Sequence, residues 1–207
     1  VTDLSATPPS PKRRIDVERN ERALLGAAAE VFAVSGVDAS VREVAAAAGV
    51  GIGTLYRHFP TRADLVVAVY RHQVEACAQA GPELLASAPS PGVAVLEWVH
   101  LFADFLGTKH GLARVWQGDA AGITALHELF LNRLVPVLSE LLAAAREAGE
   151  VVVEISAYEL MRAVGDLMAH HPEDPDYDVR RIISLLVAGL RQQPLDSADV
   201  PARSSQA

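Results

Sequence analysis

The sequence predicts an all-α fold of about nine helices, a small N-terminal group of three followed by a larger helical region. Half of the residues are hydrophobic while only 5% are aromatic, and Ala and Leu recur in long runs with few β-branched clusters, a composition that favours helix over sheet. Apolar residues also repeat at helical spacing through most of the chain. Finally, Ser40, Thr61 and Ser156 each stand three residues before Glu43, Asp64 and Glu159, the signature of a helix start.

A chain of 207 residues suffices for one sizeable core, or for a small domain joined to a larger one, without disulfides or metals. Cys77 is the lone cysteine and cannot form an internal disulfide; no basic segment followed by an apolar one opens the chain, so a cytoplasmic protein is expected. No apolar run approaches the roughly 18 residues of a membrane span, and no membrane partner is expected. The net charge of −8 is unevenly spread: residues 1–62 hold eight Lys and Arg against seven Asp and Glu, residues 63–207 ten against nineteen. The acidity therefore lies in the larger part, and the N-terminal part can still offer the local basic face that a nucleic-acid reader needs.

Taken in order, residues 1–16 carry Pro8, Pro9 and Pro11 before Lys12, Arg13 and Arg14 and read as a flexible basic tail, either solvated or touching phosphate. The first helix is expected over 17–35, with Leu24, Ala27, Ala28, Val31 and Phe32 on one face and Gly36 as its stop. Ser40-Val-Arg-Glu43 opens the second helix, which runs through small alanines to Gly49. The third occupies about 52–59, ending at Pro60, since proline cannot continue the backbone ladder. Thr61 caps a fourth helix to about residue 80, before Gly81-Pro82.

Beyond a Ser/Pro-rich segment near residue 90, Val95, Trp98, Val99, Phe102 and Leu106 mark a fifth helix, and 112–116 can form a short sixth. The longest periodic stretch, 119–148, contains Pro136, where a kink is expected. Ser156 opens the eighth helix, which continues to Pro172, and an acidic loop leads to a ninth carrying Val179 to Leu190. Residues 193–207 are expected to be disordered.

Two short helices joined by a glycine turn, Gly49-Val50-Gly51, match a helix-turn-helix whose second helix presents side chains to DNA. At about 100° per residue, Leu55 and Phe59 fall on one face as core, leaving Thr54, Tyr56, Arg57 and His58 outward. Gly53 permits close backbone approach. Thr54 offers a hydroxyl and a methyl, Tyr56 and His58 can donate to phosphate or a base edge, and Ile52 can meet a thymine methyl. Ser40 and Thr61 stand at helix starts where phosphate is favoured, and Arg62 reads as a phosphate clamp. A single head of this size binds weakly, so two-fold pairing on a palindromic operator is expected. Val164, Ile183, Leu186 and Leu190, on the apolar faces of the last two helices, are the candidate dimer contacts.

These residues together resemble the TetR family of bacterial transcriptional regulators. The resemblance rests on Phe32-Ala-Val-Ser-Gly36, Ser40-Val-Arg-Glu-Val-Ala, Ala-Gly-Val at 48–50 and Gly-Thr-Leu-Tyr-Arg-His-Phe at 53–59, followed by Thr61-Arg62, and it covers about 17–70. It implies that Arg42 can reach a base, that the chain is a homodimer, that the last two helices pair with their copies, and that the C-terminal domain binds a small effector. Gly51 and Ile52 depart from the serine and polar residue that many relatives carry. The expected organisation is thus a tail (1–16), a helix-turn-helix DNA-binding domain (17–62), an effector-binding and dimerisation domain (63–192) and a second tail (193–207).

Trp98, Phe102, Phe105, Trp116, Phe130, Met161 and Met168 are large or adaptable apolar residues of the second domain, with His127 among the polar groups able to orient a ligand; they fit a cavity for an apolar or amphipathic effector and fit solid core equally. His100 with Asp104, and His170 with His171, lack further ligands at metal spacing, so neither a metal nor a cofactor is expected. No nucleophile elbow or phosphate-binding glycine loop is present, and an enzyme is not expected. With what the resemblance implies, the expected function is a ligand-responsive repressor on double-stranded operator DNA. The alternative is a helical small-molecule or partner-binding module that does not use its DNA-binding head.

Overall fold

A computed structural model of the chain describes residues 11–108, 120–169 and 177–191. Among these, eight helices and no strands are present: α1 (Pro11–Ser35), α2 (Val41–Ala47), α3 (Ile52–His58), α4 (Arg62–Ser87), α5 (Pro91–Thr108), α6 (Ala120–Glu147), α7 (Ala157–Ala169) and α8 (Val179–Gly189). The fold is all-α, as the composition and periodicity predict. The expected short helix at 112–116, the end of the expected eighth helix, the acidic loop at 173–176 and the C-terminal tail lie outside the described residues. No helix among the described residues is long and apolar enough to cross a membrane.

The chain divides into two compact units, one made of Val1–Ala76 with Gly107–Leu129, the other of Cys77–Leu106 with Phe130–Ala207. In the first, α1 packs on α2 and α2 on α3. Leu24, Ala28 and Phe32 of α1, Val44 and Ala45 of α2, Leu55 of α3, Phe59, and Leu65, Val69 and Val74 of α4 are all buried. The spacing in α1, and in α4 with Val66 and Tyr70 buried as well, is the three-to-four-residue repeat of a core-facing stripe.

Local chemistry sets most of the boundaries. Helix α1 begins at Pro11, six residues before the start expected at residue 17 and inside the stretch that composition assigns to a tail. Proline suits a first helical position because its fixed φ is already helical and its missing N–H has no partner there. Gly36 has φ 73° and Gly49 φ 65°, left-handed values that favour glycine. At the end of α2, Val50 N–H donates to the Ala45 carbonyl (3.0 Å) and Gly49 N–H to that of Ala46 (3.1 Å), which satisfies carbonyls left open by the helix end. The same pattern closes α6, where Gly149 has φ 71° and Glu150 N–H reaches the Ala145 carbonyl at 2.9 Å.

In the second unit α7 packs on α8, with Leu160, Met161 and Val164 buried on one helix and Ile183 and Val187 on the other. Ser156 and Glu159 form the expected capping box, with Ser156 N–H donating to the Glu159 carboxylate (2.9 Å) and Glu159 N–H to Ser156 Oγ (3.2 Å). Glu150 closes the start of α5: its Oε2 accepts from Ser90 Oγ at 2.7 Å and from Gly92 N–H at 3.1 Å. A Cβ on Gly92 would lie 2.3 Å from that oxygen, so a side chain at position 92 requires the Glu150 carboxylate to shift.

Among the described residues, two prolines lie in helix interiors, Pro82 in α4 and Pro136 in α6. The first corrects the expectation that α4 stops near residue 80. A proline in a helix interior removes one donor and crowds the carbonyl four residues back. Here the indole Nε1 of Trp98 donates to the Cys77 carbonyl at 2.9 Å, supplying a hydrogen bond beside the interrupted ladder, and the helix continues to Ser87.

Candidate nucleic-acid interface

Helices α2 and α3 and the first turn of α4 hold the residues assigned to DNA. The α2 start is organised by Ser40, whose N–H donates to Glu43 Oε2 at 2.7 Å while Glu43 N–H donates to Ser40 Oγ at 3.2 Å. The Ser40 backbone bond, more than the side-chain bond, holds the Glu43 carboxyl below the usual carboxylate range. Arg42, one residue inside this box, is exposed. Ser40, beside Arg42 in the chain, is exposed as well.

Helix α3 starts at Gly51 without a side-chain cap. Leu55 and Phe59 are buried, at 1% and 5% exposure, while Ile52 is 39% and Tyr56 48% exposed. Gly53, Arg57 and His58 are exposed and Thr54 is half-buried. With 3.6 residues per turn, Ile52, Gly53, Tyr56 and Arg57 share an arc of about 140°. The helix therefore offers one short continuous face of backbone, phenol, guanidinium and aliphatic surface, backed by two buried anchors.

Thr61 and Arg62 are placed differently from the other candidates. Thr61 donates both its N–H (2.9 Å) and its hydroxyl (2.7 Å) to Asp64 Oδ2. Arg62, half-buried, donates from Nη2 to the carbonyls of Val37 and Ala39, the latter at 2.8 Å. Both side chains are engaged within the protein.

In the second unit, the aromatic candidates form one stack. Trp98 and Phe102 lie with ring centroids 5.6 Å apart and planes 8° apart; Phe130 lies 5.7 Å from Phe102 and 5.9 Å from Phe105. All four and Met161 are buried, and Met168 is half-buried. His127 is exposed and falls in the first unit. Trp116, His170 and His171 lie outside the described residues. A recess of about 490 Å³ lies elsewhere in this unit, lined by Arg146, Val152, Glu154, Ile155 and Ser156, none of them a predicted ligand residue. His100 and Asp104 instead join α5 to α8. Ser184 Oγ donates to the Arg180 carbonyl at 2.9 Å, so at the 2.9 Å His100 contact it is His100 Nε2–H that donates. Asp104 pairs with Arg180.

Of the four dimer candidates, Val164, Ile183 and Leu190 are enclosed within the chain itself, at 0%, 0% and 5% exposure, and only Leu186 is half-buried. The apolar face detected by periodicity on the last two helices is largely the one they turn toward the chain's own core. The large apolar residues of these helices that remain outward are Leu185, at 59%, and Tyr158, at 49%.

Comparison with known proteins agrees with this arrangement. Residues 24–69 match the model of the bacterial regulatory proteins of the tetR family, and residues 90–192 that of the SbtR-like transcriptional regulator C-terminal domain. The structure of the TetR transcriptional regulator SCO0520 from Streptomyces coelicolor is 32% identical, covers 84% of this chain and 99% of its own, and superposes with a TM-score of 0.72. The chain belongs to the TetR family. A TetR regulatory protein from Mycobacterium vanbaalenii has a similar structure, 29% identical over 87% of this chain and 99% of its own, with a TM-score of 0.66. The repressor LfrR of Mycolicibacterium smegmatis shares 47% identity over 55 residues, 27% of this chain; that match spans only 29% of LfrR's length. The protein is accordingly a TetR-family transcriptional regulator, and these relatives are regulators, not enzymes.

Proposed function

We propose that this TetR-family regulator is a ligand-responsive repressor that binds a palindromic operator as a homodimer and is released by a small apolar or amphipathic molecule. The observation that carries the DNA-reading part is the exposed face of α3, held rigid by Leu55 and Phe59. On this reading Arg42 and Arg57 address base edges and phosphates, Ser40, Thr54, Tyr56 and His58 supply further donors, Gly53 admits the backbone, and Ile52 meets a thymine methyl. The reading head spans residues 17–62 and the effector and dimerisation domain 63–192.

Dimerisation is assigned to the outward surface of α7 and α8, centred on Leu185, Leu186 and Tyr158, because Val164, Ile183 and Leu190 already serve the protomer core. The effector is assigned to the aromatic stack with Met161 and Met168. Polarizable Met beside aromatic rings adapts to irregular apolar ligands, and release follows only if the ligand favours a geometry that DNA does not.

Selection from random double-stranded DNA tests the reading: an enriched palindrome is expected, and no enrichment at low salt would overturn it. On the selected operator, an Arg42→Ala, Tyr56→Ala double variant that kept full affinity at controlled salt would refute the residue assignment. Release is tested by titrating the operator complex with a panel of apolar and amphipathic compounds, and dimerisation by sedimentation of Leu185→Asp, expected to be monomeric.

A further inference from the structure

We infer that Arg62 is a positioning residue of the reading head: it fastens the exit of α3 to the start of α2 and does not clamp phosphate. This rests on the DNA-reading proposal above. The guanidinium stands in the first turn of α4, where a cation opposes the helix dipole. It is stabilised there by the carbonyls of Val37 and Ala39, which it reaches across 25 and 23 residues of sequence. Both carbonyls belong to the turn between α1 and α2, and both residues are buried, at 3% and 6% exposure. Ala39 immediately precedes Ser40, the residue that caps α2 and stands next but one to Arg42.

One side chain thus closes residues 37–62, the whole helix-turn-helix, at its two ends. The same turn also carries a neutral, local bond, Ala39 N–H to the Gly36 carbonyl at 3.1 Å. The rest of the corner is equally committed. Thr61 gives its hydroxyl and amide hydrogens to Asp64, and Asp64 N–H returns to Thr61 Oγ1 at 3.1 Å. The corner so presents a carboxylate and no spare Thr61 donor, which disfavours a phosphate oxygen.

The salt dependence of operator binding separates the two roles. A lost phosphate contact lowers the slope of log K against log salt by about 0.9 for each head on DNA, whereas a lost internal bond lowers affinity and leaves the slope alone. For Arg62→Gln, loss of a charge-assisted bond pair in a folded protein weakens operator binding by roughly tenfold or more. Arg62→Lys discriminates further: a lysine ammonium meets phosphate as a point charge but does not reproduce the guanidinium fork on two carbonyls.

The expected result is that both variants bind more weakly with the wild-type salt slope, and that amides 39–44 of the free protein exchange faster in both. A slope reduced by about 0.9 per head for Arg62→Gln and restored by Arg62→Lys would show a phosphate clamp and overturn the inference. So would unchanged affinity at a temperature where both variants are folded, which would leave Arg62 a stabilising role only. If wild-type protein selects no DNA, the operator reading fails by itself; unchanged exchange at 39–44 in both variants would then still overturn the positioning role, and faster exchange would support it.

Discussion

Gly81→Ala is the substitution whose outcome the structure fixes most sharply. Gly81 is buried in α4, and a Cβ built on it lies 2.2 Å from Val137 Cγ1, 3.6 Å from Val137 Cβ and 3.8 Å from Trp98 Nε1. Carbon atoms pack best at about 3.5–4.0 Å, so the first contact is more than an ångström too close. Val137 sits within α6, where a β-branched side chain has essentially one χ1 well, and it cannot swing aside without leaving that well. Overpacking of this kind costs about 1–3 kcal/mol. An alanine before Pro82 also meets the proline ring in the helical region. Against this stands the helix-propensity gain of Ala over Gly, about 0.5–1 kcal/mol.

The net expectation for Gly81→Ala is a loss of about 1–2 kcal/mol, which lowers the thermal midpoint of a chain this size by roughly 2–8 °C. Gly26→Ala in α1 is the matched control: nothing lies within 4 Å of its added Cβ and its φ is not left-handed, so only the propensity gain of about 0.5–1 kcal/mol remains. Urea titrations followed by circular dichroism should move in opposite directions for the same chemical change. Adding Val137→Ala to Gly81→Ala should recover stability, with a coupling of about 1 kcal/mol or more in a double-mutant cycle. Gly81→Ala as stable as wild type, or a coupling near zero, would refute the reasoning.

The other predictions are smaller. Ser40→Ala and Ser156→Ala each remove a side-chain cap and should cost about 1 kcal/mol in the same titrations; no loss for either would show that water replaces the box. Burial, followed by Arg22, holds His72 below the ordinary histidine value of 6.5, and burial, followed by Arg180, does the same to His100 against the opposing effect of Asp104 and Asp178. Both rings therefore take up protons more readily when the chain is unfolded, so their contribution to stability is present above about pH 6.5 and lost as pH falls below it. A His72→Gln, His100→Gln variant should flatten that acid limb between pH 7 and 5, and an unchanged limb would rule the pair out. Burial and, secondarily, Asp104 push the Cys77 thiol up to about 12, so a thiol reagent at pH 8 should label Cys77 only in denaturant; rapid labelling of the native protein would contradict its 3% exposure.

What the sequence revealed follows the range of the interactions involved. Ser40 with Glu43 and Ser156 with Glu159 are three residues apart and close on themselves whatever surrounds them, so both boxes were legible. Gly36 and Gly49 ended helices where expected because left-handed φ is a property of one residue. Leu55 and Phe59 were separable from Tyr56 and Arg57 because period alone divides a short helix into two faces. Features decided by distant partners were not legible. Helix α4 runs through Pro82 beside a bond from Trp98, 21 residues beyond Cys77, and the carbonyl partners of Arg62 lie more than twenty residues upstream. His100 and Asp104 are spaced like metal ligands, yet Ser184 and Arg180, 84 and 76 residues away, occupy them. Val164 and Ile183 read as dimer contacts because periodicity marks an apolar face without saying which neighbour covers it.

The bond from Trp98 to Cys77 has an optical consequence. Trp98 is fully buried, stacked on Phe102, with its indole hydrogen held by a carbonyl of α4; only one other tryptophan, Trp116, is present. Any sliding of α4 along α5 at this height has to stretch that hydrogen bond and let water reach the ring, shifting its emission to the red. With Trp116 replaced by Phe, a single indole, excited apart from the four tyrosines, would report in real time whether a bound compound moves the helix that runs on from the reading head, with no label attached.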